Sequence, residues 1–329
     1  MTVRFGLLGA GRIGKVHAKA ISENRDASLV AVADAFPTAA NELAANYGCA
    51  IRTIEEIEAS GDIDAVIICT PTDTHADLIE RFARAGKAIF CEKPVDLDVE
   101  RVRACLKVVE ETGAKLMVGF NRRFDPDFAA VHAAIADDAV GDVEMVHITS
   151  RDPGPPPHDY ITRSGGIFRD MTIHDFDMAR FLLGEEPVAV TAHASVLVDP
   201  KIGELGDFDS ATVILETASG RQCSISNSRR ATYGYDQRIE VLGSKGVVAA
   251  ENRRPVSIEI ANEKGYTRPP LYDFFMTRYT QAYANEIASF IKAITEGTTI
   301  SPNGRDGLNA LVLAEAALKS VKEKKRIEL

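Results

Sequence analysis

No apolar run in this 329-residue chain approaches the ~20 residues that cross a bilayer as a helix. A membrane span is therefore not expected. The first apolar stretch starts at Val3 and reads as a strand, so a cleaved signal peptide is not expected either. Basic excess is also lacking. The chain has 38 Lys and Arg against 48 Asp and Glu, a net charge of −10, which disfavours a general nucleic-acid partner. The one short basic patch, Lys322 to Arg326, reads as a solvated helix end. The five cysteines, Cys49, Cys69, Cys91, Cys105 and Cys223, contain no C-x-x-C pair, and Cys69 and Cys91 lie inside strand-like apolar runs. Buried free thiols in a reducing cytoplasm fit that pattern. Seven histidines include neither H-x-x-x-H nor H-E-x-x-H, so no metal is implied. Internal repeats and low-complexity linkers are missing as well.

What remains is the composition of an ordinary globular protein, 45% apolar and 26% charged, with length enough for two domains. The first signal is Gly6-Leu-Leu-Gly9-Ala-Gly11-Arg-Ile-Gly14, entered by an apolar run and left by an amphipathic stretch from Arg12 to about Ser22. Strand, glycine turn and helix together form the context of a dinucleotide fingerprint. Gly9 permits the tight turn, Gly11 lets a pyrophosphate approach the backbone, and Gly14 lets the helix pack on the strand. The phosphates would meet the unpaired N–H groups and positive dipole end of the helix. The next strand, Ser28 to Asp34, ends in a carboxylate twenty residues after Gly14. Asp34 can accept from the ribose hydroxyls and would repel a 2′-phosphate, which favours NAD over NADP, although Arg12 could reach the same region.

Helical periods alternate with short apolar runs up to about Phe120. Helices are expected over 37–47, 76–85 and 99–112, and strands over 63–69, 88–91 and 115–119, with a weak one at 50–53. That alternation specifies a parallel, doubly wound sheet over residues 1–120. Beyond it, over 121–329, a helix at 126–136 precedes an alternating strand at 143–150, a stiff loop through Pro153–Pro157, and a helix opened by Gly165-Gly166 and ended near Gly184. Strands at 188–198, 210–217, 222–228, 237–242, 246–250 and 256–261 then suggest a largely antiparallel sheet. Helices over 277–295 and 305–324 close the chain.

Two loops follow first-domain strands at the end where ligands bind in open α/β sheets. They are Cys69-Thr70-Pro71-Thr-Asp-Thr-His75 and Cys91-Glu92-Lys93-Pro94. Lys93 could donate to a substrate hydroxyl; taken alone it reads better as an exposed lysine at a strand end. In Arg169-Asp170-Met-Thr-Ile-His174-Asp175-Phe-Asp177, the 170, 174 and 177 side chains share one helix face. A carboxylate there can orient a histidine, and a neutral imidazole suits removal of a hydroxyl proton. The bland alternative is a helix N-terminal turn with dipole-favoured acids and an incidental histidine. His17 and His147 read as structural; His75 sits beside the cofactor crevice.

GLLGAGRIG, CTPTDTH, CEKP, GFNRRFDP and SGGIFRDMTIHDFDMARFLLG together resemble the Gfo/Idh/MocA oxidoreductases. The likeness extends over nearly the whole chain, and is greatest to the inositol-oxidising members. It implies an α/β protein, with an N-terminal Rossmann domain and a C-terminal α/β domain whose open, mostly antiparallel sheet builds a homotetramer. It further implies NAD-dependent oxidation of a cyclic polyol, myo-inositol, at the hydroxyl-bearing C2. Lys93 would bind the reacting hydroxyl, His174 would be the general acid/base, and Asp170 would be its neighbour touching substrate. Arg122 or Arg123, Asp152, Asp177 and Tyr233 or Tyr235 would line the polyol pocket. Gly9, Gly11, Arg12, Ile13, Gly14, Asp34, Thr70, Pro71, His75, Glu92, Lys93 and Asn121 would border the cofactor. The alternatives are an NAD(P)-dependent dehydrogenase of another cyclic polyol or sugar, such as scyllo-inositol or a pyranose, and a non-catalytic NAD-dependent sugar sensor.

Overall fold

A computed structural model describes residues 2–329. In chain order the elements begin β1 Val3–Leu8, α1 Arg12–Ser22, β2 Ala27–Ala33, α2 Pro37–Tyr47, β3 Ala50–Ile51, α3 Ile54–Ala59, β4 Ala65–Ile68, α4 His75–Arg84, β5 Ala88–Cys91, α5 Val99–Thr112 and β6 Leu116–Val118. There follow α6 Pro126–Ala136, β7 Val143–Arg151, α7 His158–Ser164, α8 Ile173–Leu183, β8 Pro187–Ser195, α9 Pro200–Glu204, β9 Ser210–Thr217, β10 Gln222–Ser228, β11 Asp236–Gly243 and β12 Gly246–Ala250. The chain ends with β13 Ile260–Asn262, β14 Gly265–Thr267, α10 Phe275–Arg278, α11 Thr280–Thr295, α12 Gly304–Glu323 and β15 Ile327–Glu328.

Two compact units are built from interleaved parts of the chain: residues 1–125 with 280–311, and 126–279 with 312–329. In the first, six parallel strands run in the order β3-β2-β1-β4-β5-β6. That order reverses direction between β1 and β4, the switch point at which doubly wound sheets bind ligands. The central strands are apolar on both faces: Val66, Ile67 and Ile68 are fully buried, as parallel strands covered by helices must be. Phe5, Leu7, Val32 and Phe90 from the sheet share one core with Ile287, Phe290 and Ile291 of α11.

The second unit carries a seven-stranded sheet in the order β12-β11-β7-β10-β9-β8-β15. Its pairs are antiparallel except β7 with β10, which run parallel. The burial pattern alternates along β7, β9 and β11, so one face is packed and the other bears the exposed side chains of Met145, Ile214 and Leu242.

Several expected elements take a different form. The strand expected over 256–261 is confined to Ile260–Asn262, paired with β14 in a separate hairpin. Val256 and Ile258 alternate as a strand would, yet are 53% and 57% exposed, because no packed surface in the unit meets them. The helix expected over 277–295 breaks at Tyr279 into α10 and α11. Between the Pro153–Pro157 loop and Gly165, where no element is expected from the sequence, the chain forms α7. The basic end of the chain leaves α12 at Glu323: Lys325 pairs with Glu323 and Arg326 with Glu216, and Ile327–Glu328 adds a strand beside β8. No described helix is long and apolar enough to cross a membrane.

Candidate active site

In the first unit the glycine turn is set by close approach. Gly9 has φ +96°, and a Cβ there would lie 2.5 Å from the Cys69 carbonyl oxygen. A Cβ on Gly14 would lie 2.0 Å from the Gly9 oxygen, so the helix can sit on the turn only without one. Gly11 differs: nothing lies within 4 Å of its absent Cβ. It is the N-cap of α1, has no side chain to close the helix end, and is followed by no acid in the first turn. Open space over a bare helix N-terminus is what a pyrophosphate requires. Arg12 is exposed beside it, while Ile13 packs against the core below. Asp34 accepts from the Ala10 N–H at 2.6 Å and from the Phe36 N–H at 2.7 Å. Each of its oxygens retains a second lone pair for ribose hydroxyls. The residues present therefore fit a dinucleotide.

The loops after β4, β5 and β6 leave the same end of that sheet. Thr70 and Thr74 share a hydroxyl hydrogen bond of 2.6 Å, and Thr74 donates to the Pro71 carbonyl. His75 is buried, with Nδ1 2.8 Å from the Pro94 oxygen and Nε2 2.8 Å from the Thr70 oxygen, so its ring joins the two loops. Glu92 is buried at the end of β5 and meets His17 Nε2 at 2.6 Å. Lys93 is half-buried and its peptide to Pro94 is cis. Asn121 is buried, and its Nδ2 has no hydrogen-bond partner. Arg122 is buried beside it. Arg123 donates to Ser301 Oγ and Asp306 Oδ1, each at 3.0 Å, so it is engaged within its own unit.

In the second unit, residues Phe168–Thr172 form a π-helical turn that leads into α8. Such turns widen the helix and redirect side chains. Asp170 lies within it and His174 in the first turn of α8; both are half-buried. Asp170 accepts from the Tyr160 hydroxyl at 2.8 Å, and its Oδ2 lies 3.4 Å from both terminal nitrogens of Arg229. Arg229 is only 1% exposed and also faces Asp207 at 3.6 Å. A guanidinium buried between two carboxylates holds both by charge-assisted contacts. Beneath α8, Asn227 donates to Asp175 Oδ2 and accepts from Thr172, tying the helix start to the β10 strand.

Asp177 does not share that setting: it is buried against Arg180 at 3.7 Å. Asp152 donates its N–H to the Ser228 oxygen just past β7. Tyr233 is exposed and donates to Asp236, whereas Tyr235 is buried edge-on to Tyr279. The Asp236 carboxyl is pushed up by burial but ends below its ordinary value, because Arg238, Tyr233 and Asn252 all donate to it. Tyr160, Arg229 and Asp207 were not singled out by sequence spacing. They come from three separate segments, and only the fold joins them to Asp170.

Residues 3–120 match the family model described as "Oxidoreductase family, NAD-binding Rossmann fold", and residues 128–249 match the GFO/IDH/MocA C-terminal domain. The chain is 76% identical over 329 residues to an inositol 2-dehydrogenase of Rhizobium meliloti strain 1021, covering 100% of each. A crystal structure of a myo-inositol dehydrogenase from Corynebacterium glutamicum is 46% identical, with a TM-score of 0.97 over 100% of this chain and 99% of that one. A scyllo-inositol dehydrogenase from Lactobacillus casei, crystallised with NAD(H) and scyllo-inositol, is 27% identical, with a TM-score of 0.93 over 100% and 99%.

Proposed function

The chain belongs to the Gfo/Idh/MocA oxidoreductase family, and from that premise we propose that it oxidises myo-inositol at C2 to 2-keto-myo-inositol (scyllo-inosose). NAD⁺, when bound, supplies the hydride acceptor at its nicotinamide C4. The observation that carries the reading is the placing of Asp170 on the widened turn and of His174 in the first turn of α8 that follows it. Asp170 is held there by Tyr160 and Arg229, four residues from His174.

Roles follow from chemistry. Lys93 donates to the reacting hydroxyl and favours the alkoxide-like oxygen that develops as hydride leaves. His174 takes the hydroxyl proton; its Nδ1 is buried, so Nε2 is the nitrogen that receives it. Asp170, held beside Arg229, accepts from a neighbouring polyol hydroxyl. Asp34 selects an unphosphorylated ribose, which favours NAD⁺ over NADP⁺. Arg122, Asp152 and Tyr233 supply further donors and acceptors to the ring hydroxyls. We take the working form to be a cytoplasmic homotetramer joined through the open face of the second sheet. The exposed Met145, Ile214, Leu242 and Val247 on that sheet support an assembly surface.

The test is growth of NADH absorbance with the purified protein, NAD⁺ and myo-inositol, with NADP⁺, scyllo-inositol and glucose in parallel. Turnover confined to glucose, or none at all despite NAD⁺ binding, would overturn the assignment. Preference for scyllo-inositol would keep the reaction and change the stereoisomer.

A further inference from the structure

The first unit contains a group of ionisable side chains that the proposed hydride transfer does not use. His17 on α1, Glu92 at the end of β5 and Glu286 on α11 bring one ring nitrogen and two carboxylate oxygens within 4.8 Å of one another. Glu286 is fully buried, and no donor group satisfies either of its oxygens. The walls are apolar and aromatic: the His17 ring lies 5.0 Å edge-on from Phe90 and 5.7 Å from Tyr283. Besides the Tyr283 phenol, the thiols of Cys69 and Cys91 lie near the cluster, and burial and then the Glu92 charge push both well up.

Two carboxylates side by side in such a place cannot both ionise. Burial first, and then the charge of Glu92, push the Glu286 carboxyl well above its ordinary value. Burial thus favours the neutral, protonated form of Glu286. Geometry also separates a proton-sharing cluster from a metal site. Two ligands of a tetrahedral ion with bonds of about 2.0 Å stand about 3.3 Å apart. His17 Nε2 and Glu92 Oε1 stand at 2.6 Å, a charge-assisted hydrogen bond.

We propose that His17 and Glu286 are positioning residues, clamping the Glu92 carboxylate between a ring N–H and an acid O–H and so fixing the adjoining Lys93. Lys93 follows Glu92 directly, and the carbonyl of the next residue, Pro94, is held by buried His75. The lysine is therefore presented from a turn secured on both sides. This inference rests on the reading of Lys93 as the group that meets the reacting hydroxyl.

The experiment combines infrared spectroscopy with kinetics on the full-length protein. At neutral pH the wild type shows a protonated-carboxyl C=O band that Glu286→Gln removes; absence of the band in the wild type overturns the cluster. Glu286→Leu, which loses the donor, lowers kcat about tenfold with NAD⁺ affinity within about twofold. Glu286→Gln, whose amide still donates, recovers most of that loss. Equal kcat in the Leu and Gln variants, or parallel loss of kcat and NAD⁺ affinity with Tm, would mark a merely structural role. A stoichiometric metal in the purified wild type also overturns the proposal. If the wild type turns over no polyol, the functional reading fails, while the infrared band still decides the cluster.

Discussion

Asp34 accepts the Ala10 amide at 2.6 Å, fastening the end of β2 to the middle of the glycine turn. One carboxylate thus shapes the turn and, on the proposed reading, would also accept from the ribose. Asp34→Ser should weaken NAD⁺ binding about ten- to a hundredfold, the effect of losing a hydrogen bond to a charged acceptor. It should also raise the NADP⁺/NAD⁺ ratio of kcat/KM. An unchanged ratio would show that Asp34 serves the turn alone.

Gly11 and Gly14 should fail differently. Gly14→Ala forces a methyl group against the Gly9 carbonyl, where 2.0 Å of separation admits no relaxation by a side chain. It should lower Tm severely, as overpacking of rigid backbone does. Gly11→Ala meets open space and should keep its Tm but lose NAD⁺ affinity by titration calorimetry.

His174→Ala should lower kcat by about 10² to 10⁴, the usual worth of a positioned general base. NAD⁺ affinity should change little. Equal losses in both quantities would argue that the histidine holds the fold.

Arg229→Met should be costly, since it leaves Asp170 and Asp207 facing each other without their buried cation. Breaking such a group costs about 3–5 kcal/mol. Urea unfolding would check this; a variant as stable as the wild type would mean that solvent reaches the two acids.

Glu286 makes stability depend on pH in a definite direction. Its carboxyl titrates above the ordinary value of 4.5 in the folded protein, so the folded state keeps a proton that the unfolded chain releases. The stability this contributes is full below that ordinary value and is lost as pH rises toward the raised one. The unfolding free energy of wild type minus that of Glu286→Gln should therefore fall as pH rises above the ordinary value of 4.5. A flat difference would show that Glu286 is ionised throughout.

Much of the first unit could be read from local pattern. β1, α1, α2, β5 and α5 fall where period and punctuation put them, because a strand buried on both faces leaves an apolar run and Gly48 and Gly113 end helices in the left-handed conformation. The short helices α3, α7 and α9 span too few turns for a helical period to emerge. The π-helical turn carrying Asp170 has no residue signature, and its side-chain partners arrive from distant segments. Glu286 is hidden in another way. On an amphipathic helix a glutamate reads as solvent-facing, and only the return of α11 to the first sheet buries it.

That return has a consequence for synthesis. Ile287, Phe290 and Ile291 complete the core that begins at Val3 and Phe5, yet 154 residues of the other unit, 126–279, lie between. A ribosome making this chain must hold an unfinished nucleotide-binding half, its apolar strands partly uncovered, until α11 emerges. Newly made fragments ending before Thr280 should be the ones that chaperones and proteases find.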